Sequence, residues 1–303
     1  MRESRDSIAD IWGDRTPHAG EGKWPARVDL RLAEEPDRWV QSCCVLCSNG
    51  CALDIGVKDG RIVGVRGRGV DRVNHGRLGP KGLHGWEANA STDRLTRPLI
   101  RDGDGFREAT WDEAMSLVCD QARETINHST ADAIAFYNSG QLFLEEYYTL
   151  SIISHAGVGT HHLDGNTRLC TATASQALRE SFGADGQPCS YSDLDVTDAL
   201  FLVGSNMAAT QTVLWARVLD RRAGPRPPAL VVVDPRRTMT AREADVHLAP
   251  RLGTNVAVLN GILHLLIKRG HVDGDFVARH TIGFERLERT VRDYVPGHVR
   301  HLT

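Results

Sequence analysis

Cys44-Val45-Leu46-Cys47-Ser48-Asn49-Gly50-Cys51 is the stretch from which the rest of this chain can be read. Its thiols stand at C-x2-C-x3-C, with an Asn-Gly turn between the second and the third. A turn folds such side chains inward, so they converge on one point. Thiolates are soft ligands, and soft ligands select zinc, copper(I) or iron–sulfur clusters. Four of the seven cysteines crowd into residues 43–51. That odd, clustered set favours metal or catalysis over disulfides. Cys43 adjoins Cys44, and neighbours in extended backbone point to opposite sides, so the two do not serve one iron.

The flanks build a small unit around the loop. Ala52-Leu53-Asp54-Ile55-Gly56-Val57-Lys58 alternates, Asp59-Gly60 turns, and Arg61-Ile62-Val63-Gly64-Val65-Arg66 alternates again. Asp-Gly between alternating runs is a hairpin signal. A hairpin beside a thiol loop makes a compact metal-binding subdomain over residues 40–105. Residues 87–105 are polar and turn-rich, and Thr96-Arg97-Pro98-Leu99 reads as an extended linker. Residues 1–39 carry Pro17, Gly20, Gly22, Pro25 and Pro36 among Trp12, Trp24 and Trp39. They read as an extended arm laid over the body, with tryptophans as anchors.

From Thr110 the pattern changes. Thr110-Trp111-Asp112-Glu113 has the spacing of a capping box. Apolar positions then recur at helical spacing through Ala114, Leu117, Val118 and Ala122, and Cys119 reads as a small core residue. Ala133–Tyr137, Ala199–Val203, Ala229–Val233 and Asp245–Leu248 read as strands. Helices are expected over 142–153, 172–182, 211–222 and 255–270, with weaker helix after that. Short apolar runs alternating with helices predict a parallel sheet covered on both faces. In such sheets ligands sit at the carboxyl ends of strands. Ser139-Gly140-Gln141, Gly204-Ser205-Asn206 and Asp234-Pro235-Arg236 all fall there.

The apolar share, 41%, supports a real core. A net charge of −3 gives no reason to expect nucleic acid or an anionic membrane. No apolar run reaches the ~18 residues of a membrane span. Met1-Arg2-Glu3-Ser4-Arg5-Asp6 lacks the apolar run of a signal peptide and holds no Arg-Arg pair, so a cytoplasmic location is expected.

Cys44, Cys47, Cys51 and the turn Gly79-Pro80-Lys81-Gly82 together resemble the amino-terminal iron–sulfur region of the molybdopterin oxidoreductases. That superfamily includes nitrate reductases and formate dehydrogenases. The resemblance spans about residues 40–290. It implies an α/β fold: a small amino-terminal iron–sulfur β subdomain, then a mostly parallel α/β sheet domain over 106–303 that binds a pterin dinucleotide. In the family a fourth cysteine stands where this chain has Gly79. Three outcomes are open: a four-iron cluster with a substitute ligand, which we favour, a three-iron cluster, or an unmetallated thiol loop. Zinc also prefers four ligands.

The resemblance carries further residues. Lys81 matches a lysine between cluster and pterin, with a catalytic role in that position. Cys170, in Asn166-Thr167-Arg168-Leu169-Cys170-Thr171, resembles the thiolate that binds molybdenum in nitrate reductases. The small residues after it predict a helix start, where amides and the dipole favour a thiolate. Thr171 stands where formate dehydrogenases place a histidine, which favours oxygen-atom chemistry on nitrate. His161 and His162 read as ordinary exposed or satisfied imidazoles. Gln141, Asn166, Gly204, Ser205 and Asn206 would contact the dinucleotide through strand-end loops. Asp234 with Arg236 resembles a guanosine-binding strand end. Gly253-Thr254-Asn255 resembles a Gly-Thr-Asp loop of the same site.

The implied function is a molybdenum oxidoreductase of the nitrate-reductase kind. Its cofactors would be a 4Fe-4S cluster and molybdenum bis(molybdopterin guanine dinucleotide). Its partners would be nitrate and an electron donor protein or reductase subunit. Because the family's catalytic subunits are more than twice as long, the chain would be a fragment, a truncated reading frame, or one part of a split enzyme whose carboxy-terminal half is a separate chain. Formate oxidation on the same scaffold and a non-catalytic remnant are the alternatives.

Overall fold

The computed structural model describes residues 14–303. Trp12 of the expected arm lies outside them. The remainder of the arm runs without regular structure to β1 (Leu30–Leu32), and β2 (Arg38–Cys43) leads into the thiol loop. β3 (Ala52–Lys58) and β4 (Arg61–Gly67) form the expected hairpin. Asp59 (φ 49°) and Gly60 (φ 73°) both take left-handed backbone, as a tight two-residue turn requires. The four strands make an antiparallel sheet in the order β1-β4-β3-β2. A short helix, α1 (Pro80–His84), follows, with Pro80 at its first position, where a missing N–H costs nothing.

The expected linker is partly structured. β5 (Leu99–Asp102) and β6 (Gly105–Glu108) pair as a second hairpin. α2 (Trp111–His128) starts as expected, with Glu113 N donating to Thr110 Oγ1 at 3.2 Å. The capping box is not reciprocal, because the Glu113 carboxylate turns to Arg107 Nη2 at 2.5 Å instead. The helix's apolar face is uncovered: Met115, Leu117 and Val118 are exposed. Cys119 is exposed too, which corrects its assignment to the core. The stripe has the right period, but among the described residues no element covers it.

The strand expected over 133–137 lies slightly later, as β7 (Phe136–Asn138), and is only half-buried. α3 (Leu144–Ile152) continues into a π-helical turn. β8 (Leu163–Gly165) pairs parallel with β7, and α4 (Thr167–Phe182) begins earlier than its small residues indicated. After α5 (Asp193–Val196), β9 (Ala199–Val203) leads through α6 (Met207–Thr210) to α7 (Thr212–Arg222). Then come β10 (Ala229–Val233), α8 (Met239–Arg242) and β11 (Val246–Leu248). α9 (Asn255–Lys268), α10 (Gly274–His280), α11 (Phe284–Val291) and α12 (Pro296–Leu302) close the chain.

β9, β10 and β11 pair parallel in the order β11-β10-β9, so the fold class is α/β as expected, with its parallel strands divided between two sheets. One face is covered. Leu200, Leu230 and Val232 pack on Met207, Leu214, Trp215 and Val218. The other face is open at Phe201, Val246 and Leu248. Runs such as Ala199–Val203 are written for burial on two sides, and the described residues supply one covering layer.

α7 is the centre of the body, buried from Thr212 to Arg221. One side meets the parallel sheet. The other meets the thiol subdomain, where Val213 and Ala216 pack with Trp24, Cys51, Leu53, Val65, Leu78 and Leu83. Its buried charges are paired, as desolvation demands. Arg217 holds Asp195 through two bonds of 2.7 and 2.5 Å. Asp220 accepts from Arg77 Nη2 at 2.8 Å and from Trp24 Nε1 at 3.1 Å. The Arg77 guanidinium lies 3.7 Å from the Trp24 ring centroid. Burial pushes Arg77 down to about 10, with Asp220 opposing. Trp24 is therefore the anchor expected of the arm, while Trp39 is half-buried under Arg66.

Candidate cluster and pterin site

The thiol loop is held at both ends. Cys44 N donates to Cys51 O at 2.9 Å, closing it at its base. Ser48 (φ 52°) and Gly50 (φ 82°) take left-handed backbone and turn the chain between Cys47 and Cys51. Cys51 is buried, Cys44 and Cys47 are half-buried, and Cys43 is exposed on the other side of β2. Buried Asn74 accepts from Ala52 N at 3.2 Å and donates to Ala52 O at 3.0 Å and Arg77 O at 2.7 Å. One amide thus ties the end of the loop to the turn carrying Gly79.

The three thiols feel one another. Burial pushes the Cys51 thiol well above its usual range, and Cys44 and Cys47 push it further. Cys44 is raised by burial too, with its hydrogen bond to the Leu46 backbone and the Lys81 ammonium pulling the other way. Lys81 is exposed beside these thiols. Among the described residues no three His, Cys, Asp or Glu side chains come close enough to hold a single ion. The donor set suits a cluster better, since there each thiolate binds a different iron.

At the fourth corner, a Cβ added to Gly79 would lie 2.1 Å from Thr212 Oγ1. A cysteine does not fit there unless Thr212 moves. A Cβ at Gly82 would lie 3.5 Å from Cys44 Sγ, so this turn runs close against the thiols.

The loop after β7 reaches the thiol loop. Gln141 Nε2 donates to Leu46 O at 2.8 Å. Gly140 N donates to Asn166 Oδ1 at 2.8 Å, and Asn166 N to Asn138 O at 3.2 Å. Tyr191 Oη donates to Asn49 O at 3.3 Å, and burial, with Cys51, raises its phenol. Gly204 (φ 62°) follows β9 and has open space where a Cβ would stand. Asn206 Oδ1 accepts from Thr240 Oγ1 at 2.9 Å, so the loops after β9 and β10 are joined. Asp234 Oδ1 accepts from Arg236 N at 2.8 Å. Gly253 (φ 81°) is also open, and Thr254 donates to Arg251 O at 2.6 Å at the start of α9.

Cys170 lies in the first turn of α4 and is exposed, with Thr171 Oγ1 at 3.3 Å from its sulfur. His161 and His162 are exposed, as read. The structure brings Cys44, Cys47, Cys51, Lys81, Gln141 and Asn166 into one linked region. It joins Gly204, Ser205, Asn206, Asp234 and Arg236 in a second, across β9 and β10. Among the described residues no hydrogen bond or ion pair links Cys170, Gly253 or Thr254 to either. Sequence reasoning missed Thr212, Tyr191 and Asn74. Each is a single polar residue whose partner is distant in the chain, and none falls in a spaced motif.

Residues 37–90 match the Fe4S4 domain of molybdopterin oxidoreductases, and residues 94–278 match the molybdopterin oxidoreductase family itself. A nitrate reductase of Symbiobacterium thermophilum is 34% identical over 294 residues, covering 94% of this chain and 39% of that protein. A periplasmic nitrate reductase of Desulfovibrio desulfuricans is 36% identical, over 82% of this chain and 33% of its own length. The F420-dependent formate dehydrogenase subunit alpha of Methanocaldococcus jannaschii is 31% identical, over 85% and 37%. Acetylene hydratase from Pelobacter acetylenicus shares the fold, with TM-score 0.71 at 23% identity over 87% of this chain and 36% of that one. The chain thus spans about two fifths of the length of the curated relatives it matches. With the two family matches together covering most of its length, this chain belongs to the molybdopterin oxidoreductase family.

Proposed function

We propose that the chain is the cluster- and pterin-binding part of a nitrate-reducing molybdenum oxidoreductase, with residues 40–105 and 106–303 as its two units. The observation that carries this reading is the tie between Gln141 and the thiol loop at Leu46, beside Lys81 and Cys44. On this reading the loop assigned to the pterin lies one hydrogen bond from the loop that carries the cluster ligands. Cys44, Cys47 and Cys51 supply three thiolates. Lys81 supplies a cation on the pterin side of them. The open backbone at Gly204 and Gly253, with Gln141, Asn166, Ser205, Asn206, Asp234, Arg236 and Thr254, fits the phosphates and guanine of a molybdopterin guanine dinucleotide. When bound, molybdenum in the bis-dinucleotide form supplies two-electron oxygen-atom chemistry. Cys170, exposed at the start of α4, is the thiolate for that metal.

Thr171 and the nitrate reductase relatives favour nitrate. The formate dehydrogenase relative, at comparable identity, keeps formate oxidation as the second reading. The open faces of α2 and of the β9–β11 sheet support a further polypeptide that covers them and completes the site, with an electron donor protein beyond it. No helix is long and apolar enough to cross a membrane among the described residues. All seven cysteines are free, which supports a cytoplasmic location.

The test is metal analysis with dye-linked turnover, on the chain produced anaerobically in a host that makes the pterin. Molybdenum, iron and nitrate-dependent oxidation of reduced viologen are expected. A well-folded chain holding neither metal overturns the reading, and formate-dependent dye reduction replaces nitrate with the second substrate.

A further inference from the structure

Three thiols leave one corner of a four-iron cluster without a ligand, and the side chain that faces Gly79 is that of Thr212. Thr212 Oγ1 stands 2.1 Å from the point where the Cβ of a residue larger than Gly79 would lie. Thr212 is only 6% exposed. Among the described residues its hydroxyl makes no hydrogen bond, so its lone pairs are free for a ligand role. It sits at the first position of α7, whose next residue, Val213, packs in the same cluster as Cys51 and Leu83. Thr212, from the helix that faces the turn, thus occupies the space that a side chain at position 79 would take.

We infer that Thr212 Oγ1 is the ligand of the fourth iron. The inference rests on the cluster reading of Cys44, Cys47 and Cys51 and extends it. The hydroxyl binds through an oxygen lone pair, so no oxidant or reductant is needed. A site of three sulfurs and one hard oxygen holds its fourth iron less firmly than four thiolates do. The first turn of α7 adds a fixed positive end beside that corner.

The test needs no turnover. The full chain is reconstituted anaerobically with iron and sulfide. Iron and sulfide are counted, and the oxidised and reduced protein is followed by electron paramagnetic resonance and Mössbauer spectroscopy. About four irons are expected, one spectroscopically distinct from the other three. Thr212→Val keeps the shape and removes the oxygen. It is expected to lose one iron and to show the signal of an oxidised three-iron cluster. Thr212→Ser is expected to keep four. The double variant G79C/T212A is expected to restore four equivalent thiolate corners, and near-ultraviolet circular dichroism checks that each variant is folded.

A four-iron cluster indifferent to Thr212→Val overturns the assignment of Thr212 and leaves the cluster standing. A three-iron cluster in the parent protein does the same. A folded parent chain that takes up no iron overturns the cluster reading itself.

Discussion

Asp220 joins three pieces of chain that the sequence keeps far apart. Its carboxylate accepts from Trp24 on the arm and from Arg77 beside the cluster turn, while its own backbone belongs to α7. Asp220→Ala leaves the Arg77 guanidinium buried without its counter-charge, a loss of about 3–5 kcal/mol. Urea unfolding of the variant should show it. Cys170 presents the opposite case. It is exposed and bonded to little, so Cys170→Ser should change stability by less than about 0.5 kcal/mol. The same substitution should lower the molybdenum content of the loaded protein and leave its iron content alone, which metal analysis would read directly. The cysteine loop was legible because its ligands are neighbours at fixed spacing. Asp220 and Thr212 were not, because their partners, Arg77 and Gly79, come from a distant turn and no local pattern marks either end.

Elements whose determinants are local came out of the sequence well. The Asp59-Gly60 hairpin and the strands β9 and β10 lie where alternation, turn chemistry and apolar runs put them. The expected covering did not follow. α2 has a helical apolar stripe, and β9 to β11 have runs suited to two-sided burial, yet both keep an open face. Pattern records which side needs covering and is silent on what covers it. Val118→Lys in α2 should therefore leave the thermal midpoint of the isolated chain unchanged, since Val118 is 60% exposed. Asp245 holds the end of α7 to the sheet. Its carboxylate takes Arg222 through two bonds of 2.9 Å and Leu230 N at 2.7 Å. Arg222 holds that carboxyl far below the usual range. A depressed carboxylate contributes stability above its unfolded value, about 3.8, and loses it as pH falls. Asp245→Asn should thus be less stable than the parent at neutral pH, and the two should converge in acid. Thermal melts from neutral pH down to about pH 2 would follow the convergence, which falls mainly below about pH 4.

Over the whole molecule the accessible surface is 20031 Å². A compact monomer of 33.3 kDa exposes roughly 12,600 Å². The excess agrees with α2, α3 and α4, none of which has a buried residue. Amides in these helices should exchange with solvent long before those of α7, and hydrogen exchange with mass spectrometry would rank them. The arm has a different standing. Residues before β1 pass under Arg77 and place Trp24 between the thiol subdomain and α7, so the first stretch of the described chain is interior material. A shortened version begun at Pro25 would lack this central indole. It would be expected to emerge as two poorly joined pieces, with the cysteine loop cut off from the helix that backs it.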